Sequence, residues 1–311
     1  MEIRTDLALE AREMIDEKRS EKMRDKDALP KGMFVKTREN NYILITDIEI
    51  TSEEAAKKIG KKIGKYLTLE FKNPILDTLD NQENIAKSLS TELTAFISEF
   101  CNNSPVIMIA GLGNRNITAD SLGPKVVDKV VVTRHVKNIE NNDNLEIDAR
   151  LGNLCAVAPG VMGVTGIETS EMIKGMISTV KPDILIVIDA LASRKTSRVN
   201  TTIQISDTGI VPGSGVGNHR MELSQDVLGI PVIAIGVPTV VDAATLVRDI
   251  LEISNNDNNL KLESENEIIN MIVTPKNIDI AIERLSEVIS SGINMAIHKG
   301  FEMKEINEYL I

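Results

Sequence analysis

Tryptophan is absent from this 311-residue sequence, and aromatic residues make up only 3% of it. The core must therefore be built from Ile, Val, Leu, Ala and Met, and few rings remain to stack on nucleobases. Positive charge is scarce as well: 35 Lys and Arg stand against 46 Asp and Glu, a formal net charge of -11. No basic stripe offsets it, so no direct nucleic-acid partner is expected and the charge serves solubility. The two cysteines, Cys101 and Cys155, lie far apart without the paired spacing of a zinc or redox motif. They read as buried apolar thiols, not a disulfide framework. No run of 18 apolar residues occurs, and the opening stretch MEIRTDLALEAREMIDEKR mixes acids and bases throughout. A soluble, cytoplasmic protein without a membrane partner is the expectation.

What is present reads as alternating strands and helices. Residues 7 to about 24 form a charged, weakly amphipathic helix, and Pro30 with Gly32 closes the segment after it. Tyr42–Thr46 is a short strand, and Thr51-Ser52-Glu53-Glu54 resembles a capping box opening a helix through Ile59, Ile63 and Leu67. Val106–Ala110, Ile184–Ile188 and Val232–Gly236 are continuous apolar runs of the length that suits strands buried on both faces. Helices are expected over Gly123–Val131 and Glu168–Val180, the second behind a Thr165-x-x-Glu168 capping pattern. Ser254–Asn259 reads as a loop before a helical segment from Ile278 to about Leu310. The alternation predicts an α/β fold with a parallel or mixed sheet covered by helices on both faces.

In such a sheet, chemistry collects at the carboxyl ends of the strands. Two acids are placed there: Asp120, in the loop after the first central strand, and Asp189, directly after ILIVI. Alone, an Asp before a helix is ordinarily a cap and an Asp ending a strand is often structural. Brought together they become a pair in which one carboxyl holds a proton while the other stays charged, as amide hydrolysis requires. Gly111-Leu112-Gly113 invites a dinucleotide reading, but Asn116 stands where the third glycine belongs, which counts against a nucleotide-dependent oxidoreductase; no cofactor is expected. Gly213–Gly217 reads as a tight turn or a loop at the substrate edge. His135, His219 and His298 lack metal-site spacing, and only His219 could join Asp120 and Asp189 as a metal triad, the metal-dependent alternative.

The blocks GLGNRNITADSLGP (Gly111–Pro124), APGVMGVTGIETSE (Ala158–Glu171), IDALASR (Ile188–Arg194), VNTTIQISDTGIVPGSGVG (Val199–Gly217) and IPVIAIGVPTVV (Ile230–Val241) resemble the germination protease family, and the resemblance continues to Met271–Lys276. It implies an endopeptidase that degrades small acid-soluble spore proteins in the spore core, made as a zymogen and assembled as a homotetramer. The implied fold is a three-layer α/β/α arrangement with a mixed, mostly parallel sheet, similar to hydrogenase maturation proteases. The two essential aspartates fall on Asp120 and Asp189. Family substrates are cut between an acid and a large apolar residue, in a context that Thr5-Asp6-Leu7-Ala8-Leu9-Glu10 resembles. The resemblance thus implies autocleavage between Asp6 and Leu7, with residues 1–6 as propeptide and 7–311 as one α/β peptidase domain with peripheral terminal elements. Selectivity for an acid before the cut calls for a cation, for which Arg194, Lys195 and Arg198 are the candidates. A buried carboxylate pair loses charge in mild acid, where processing is expected to be favoured.

Overall fold

A computed structural model of the chain describes residues 5–18, 29–40, 42–72, 78–101, 104–137, 148–213, 220–253, 271–302 and 305. In chain order the elements are α1 (Ala8–Lys18), β1 (Met33–Asn40), β2 (Ile43–Ile50), α2 (Glu53–Ile59), β3 (Gly64–Glu70), α3 (Leu79–Phe100), β4 (Val106–Gly111) and α4 (Leu122–Val127). There follow β5 (Asn153–Val157), α5 (Met162–Thr165), α6 (Thr169–Val180), β6 (Ile184–Ser193), β7 (Thr202–Ser206), α7 (Gln225–Leu228), β8 (Val232–Asp242), α8 (Ala243–Ile253), β9 (Ile272–Val273) and α9 (Ile278–Ile297).

The strands form one sheet in the order β1-β2-β3-β7-β8-β6-β4-β5, with β9 on β8. The parallel character expected from sequence is concentrated in β5, β4, β6 and β8. The other half of the sheet is antiparallel, from β8 through β7 and β3 to β2 and β1. β6 is central to the parallel half, which explains its unbroken apolar run. Ile184, Ile186 and Ile188 pack with α3, α4 and α9 on one face, while Leu185 and Val187 pack with α6 and α7 on the other. Tyr66, Ser206, Ala234, Val187 and Ala110 are successive cross-strand partners, so α1 and α2, which pack around Tyr66, cover the same face as α6 and α7.

Several boundaries differ from the sequence reading for local reasons. Ser52 does cap α2, its hydroxyl accepting from Ala55 N–H. The helix nevertheless stops at Ile59, because Gly60 turns left-handed (φ 69°) and returns its N–H to Ala56 O; Leu67 belongs to strand β3. Thr165 makes no capping box with Glu168 but accepts from Ile167 N–H, and the helix begins at Thr169. The helix expected to reach Val131 ends at Val127, and the C-terminal helix ends at Ile297. Ser254–Asn259 lies outside the described residues. No described helix is long and apolar enough to cross a membrane.

Candidate active site

β4 ends at Gly111, and the chain then doubles back so tightly that side chains are excluded. A Cβ on Gly111 would meet Gly123 O at 2.2 Å, and one on Gly113, whose φ is 109°, would meet Asp120 O at 2.0 Å. The glycines that suggested a nucleotide loop are therefore filled by the chain itself. A 3₁₀ turn, Thr118–Asp120, presents the first acid: Asp120 Oδ2 accepts from Asn114 N–H at 2.8 Å, and Thr239 of β8 pins the turn by donating to Ala119 O at 2.7 Å. Leu112 N–H donates to Ile188 O at 2.8 Å, which brings the loop to the point on β6 where Asp189 follows.

Asp189 is 5% exposed, and its Oδ1 accepts from Ala190 N–H at 2.9 Å. Burial drives its pKa well above the ordinary carboxyl range, and the charges of Asp120 and then Asp6 push it further up against weaker opposition from Ala190 N–H and Arg220. Asp120 is raised too, by burial, with Asn114 N–H and Arg220 opposing. The fold thus brings together the two acids singled out in the sequence. Both carboxyl pKa values are raised, that of Asp189 well above the ordinary range, and the two acids sit in different environments.

A third carboxylate, Asp6, reaches this space on a segment from the N-terminus. Register makes Asp189, Gly236 and Gln204 neighbours in one row across β6, β8 and β7, and the segment 5–10 lies against that row. Asp6 N–H donates to Ala192 O at 3.3 Å, and Ala192 N–H donates to Asp6 Oδ2 at 3.0 Å. The carbonyl oxygen of Asp6, at the head of the Asp6–Leu7 amide, accepts from Lys61 Nζ at 2.8 Å and from Gln204 Nε2 at 3.4 Å. Ala8 N–H donates to Gln204 Oε1 at 2.7 Å. Leu7 and Ala8 are fully buried.

The stretch that carries the cations expected for the acid before the cut meets Glu10 and Glu13. Arg194 and Lys195 offer main-chain N–H groups to Glu10, at 2.6 and 3.1 Å, and Ser193 Oγ donates to it at 2.8 Å. Arg198 Nη1 reaches Glu10 at 3.4 Å, while the rest of its guanidinium engages Glu13 and Glu70, and the Lys195 ammonium pairs with Glu13 at 2.8 Å. Burial would raise Glu13, but Arg198 and Lys195 overcome it and hold its pKa at about 2. Arg198 and the Lys195 ammonium thus pair with Glu13, Arg198 also reaches Glu10, and Ala192 N–H donates to the Asp6 carboxylate. Sequence reasoning missed Lys61 and Gln204, which belong to no motif; only the register of β7 and the turn after α2 place them.

His219 lies outside the described residues; His135 is exposed, and buried His298 accepts from Gly152 N–H and donates to Val131 O, a structural role. Cys101 and Cys155 are half-buried free thiols whose pKa values burial raises. Among the described residues no group of three His, Cys, Asp or Glu side chains is arranged to hold a metal ion.

Comparison with known proteins places this geometry in a family. The germination protease family profile matches residues 8–267. The germination protease of Clostridium acetobutylicum is 44% identical over 99% of this chain and 99% of its own length, and that of Clostridium tetani is 42% identical over the whole of both. That of a Bacillus cereus strain is 38% identical over 99% of this chain and 96% of its own. Among solved structures, the NiFe hydrogenase maturation protease HycI of Thermococcus kodakarensis covers 64% of this chain and 98% of its own at 17% identity and a TM-score of 0.32, a level that supports no conclusion. By a profile match over most of its length and full-length relatives of one name, this chain belongs to the germination protease family and is a spore germination endopeptidase.

Proposed function

We propose that the chain is a zymogen that cuts its own Asp6–Leu7 bond through Asp120 and Asp189, and that it then hydrolyses small acid-soluble spore proteins in the spore core by the same chemistry. The observation that carries this is the seating of the segment that holds the Asp6–Leu7 amide along the strand row of Asp189, with the Asp6 carboxylate contributing to the raised pKa of Asp189. The ionised acid removes a proton from water as it attacks the Asp6 carbonyl carbon. The protonated one then delivers a proton to the Leu7 nitrogen as the C–N bond breaks.

Each position of the segment has a seat, which supports reading it as a stand-in for substrate. Thr5 Oγ1 accepts from Leu7 N–H at 3.0 Å and donates to Glu10. Leu7, Ala8 and Leu9 are buried, and the Glu10 carboxylate, fully enclosed, takes the donors of Ser193, Arg194, Lys195 and Arg198. A substrate with an acid, a large apolar residue, a small one and a second acid at this spacing would use the same groups. So short a propeptide restrains the enzyme by occupying the cleft it must vacate. Self-association into a homotetramer is part of this reading.

The test is N-terminal trimming followed by mass spectrometry in wild type, Asp120→Asn and Asp189→Asn across a pH series. Each amide keeps the shape and removes the acid/base capacity. Loss of six residues from wild type, faster as the pH falls into the mildly acidic range, and no loss from either variant is expected. Full trimming in either variant would remove that residue from the mechanism.

A further inference from the structure

An amide hydrolase needs more than an acid and a base: the carbonyl oxygen gains charge as water adds, and that charge must be met by donors already in place. Two side chains meet it here. Lys61 stands in the turn between α2 and β3, half-buried, with its ammonium donating to the main-chain carbonyls of Asp6 at 2.8 Å and Thr5 at 3.3 Å. Gln204 approaches the Asp6 oxygen at 3.4 Å through Nε2, while its own oxygen holds Ala8 N–H at 2.7 Å. A lysine whose ammonium meets a carbonyl oxygen gains most when that oxygen becomes anionic, which is the condition for stabilising a transition state more than a ground state.

We propose that Lys61, assisted by Gln204, is the oxyanion-stabilising group of this enzyme, acting on the carbonyl oxygen of the bond being cut. The inference rests on the Asp6–Leu7 reading above and adds the residues that polarise the bond. Water adds to the Asp6 carbonyl carbon and its proton passes to the ionised aspartate. The oxygen, now anionic, is held by the Lys61 ammonium without proton transfer and by the Gln204 amide. Collapse breaks the C–N bond as the protonated aspartate gives its proton to the Leu7 nitrogen, leaving a carboxylic acid at Asp6 and an amine at Leu7, and proton transfer between these gives the carboxylate and the ammonium. Burial lowers the Lys61 pKa, and the Asp6 and Glu10 carboxylates oppose that fall.

The experiment measures first-order trimming of full-length Lys61→Met, Lys61→Gln and wild type, beside Asp120→Asn and Asp189→Asn, with hydrogen exchange of residues 7–11 before the cut. Because the segment is already seated, the rate reports chemistry and the exchange reports docking. Lys61→Met is expected to slow trimming by about 10²–10³-fold, the loss typical of one oxyanion donor, with exchange protection unchanged. Lys61→Gln, which keeps a neutral donor, is expected between Met and wild type, and it carries the test if Lys61→Met does not fold. Trimming at the wild-type rate overturns the proposal, as does slow trimming with protection lost, since Lys61 would then only dock the segment. Normal trimming in the aspartate variants would overturn the carboxylate mechanism, an outcome distinct from failure of the lysine alone.

Discussion

Asp120 and Asp6 both act on the buried Asp189, and the cost of that arrangement sits mainly on Asp189. Its folded-state pKa lies well above that of an exposed aspartate, first through burial and then through Asp120 and Asp6. The sign follows from linkage: the folded protein holds a proton that the unfolded chain has released, so this residue's contribution to stability is intact in acid and is lost as pH rises through the raised value. Asp189→Asn fills the same volume without the charge. It should therefore melt several degrees above wild type at neutral to mildly alkaline pH, with the gap closing in acid, as scanning calorimetry at several pH values can measure. A variant equally or less stable at neutral pH would mean that Asp189 is compensated by groups other than Ala190 and Arg220. Inactivity with a gain in stability is the mark of a residue kept for chemistry.

At the scale of elements, α1 is both cover and cargo. Ala8, Leu9 and Ala11 pack on Met33, Ile48, Ile50, Ala55, Ile59 and Tyr66, while the residues just before the helix carry the bond that is cut. Cutting at Asp6 leaves Leu7 with a new ammonium in a place of 0% exposure, where an unpaired charge is costly, and removes the anchors from Ala192 and Lys61 to Asp6. The helix should loosen once trimmed. Hydrogen exchange of residues 8–15 is expected to quicken after processing while that of β6 stays slow, and unchanged protection would show that substrate enters by another route. Why some elements were legible in the sequence and others not follows from the same packing. β4, β6 and β8 are buried on both faces and so read as unbroken apolar runs. β1, with the pattern MFVKTREN, is exposed along most of its length and has no such signal, and β3 was absorbed into a helix that Gly60 ends. Asp120 and Asp189 were legible because they follow apolar strand runs, whereas Lys61 and Gln204 were not, because a turn and a register across three strands bring them to the cut.

For the molecule as a whole, α8 and β9, the short strand that pairs with β8, carry exposed apolar side chains among the described residues. On α8, Leu246 is 36% and Ile250 55% exposed, one turn apart on the same side. Met271, just before β9, is 58% exposed and Ile272 on β9 is 48% exposed, and Met271 O accepts from Ala243 N–H at the start of α8 at 2.9 Å. Large apolar side chains grouped in this way mark a contact surface more often than a solvated one. The proposed homotetramer has a physical use for it, and a surface repeated on identical subunits pairs with itself about a two-fold axis. A charge placed there is repelled by its own copy across such an axis. Ile250→Asp should therefore halve or quarter the mass measured by sedimentation, with little effect on the folded monomer because the side chain packs against little of it. Thr196 hydroxyl and amide both bind Asp249 of the same helix, at 2.6 and 3.0 Å, so α8 is fixed to the turn that follows β6, the strand that carries Asp189. If this surface is the interface, dissociation also loosens α8 and slows trimming. A variant whose mass matches wild type would place the subunit contact elsewhere.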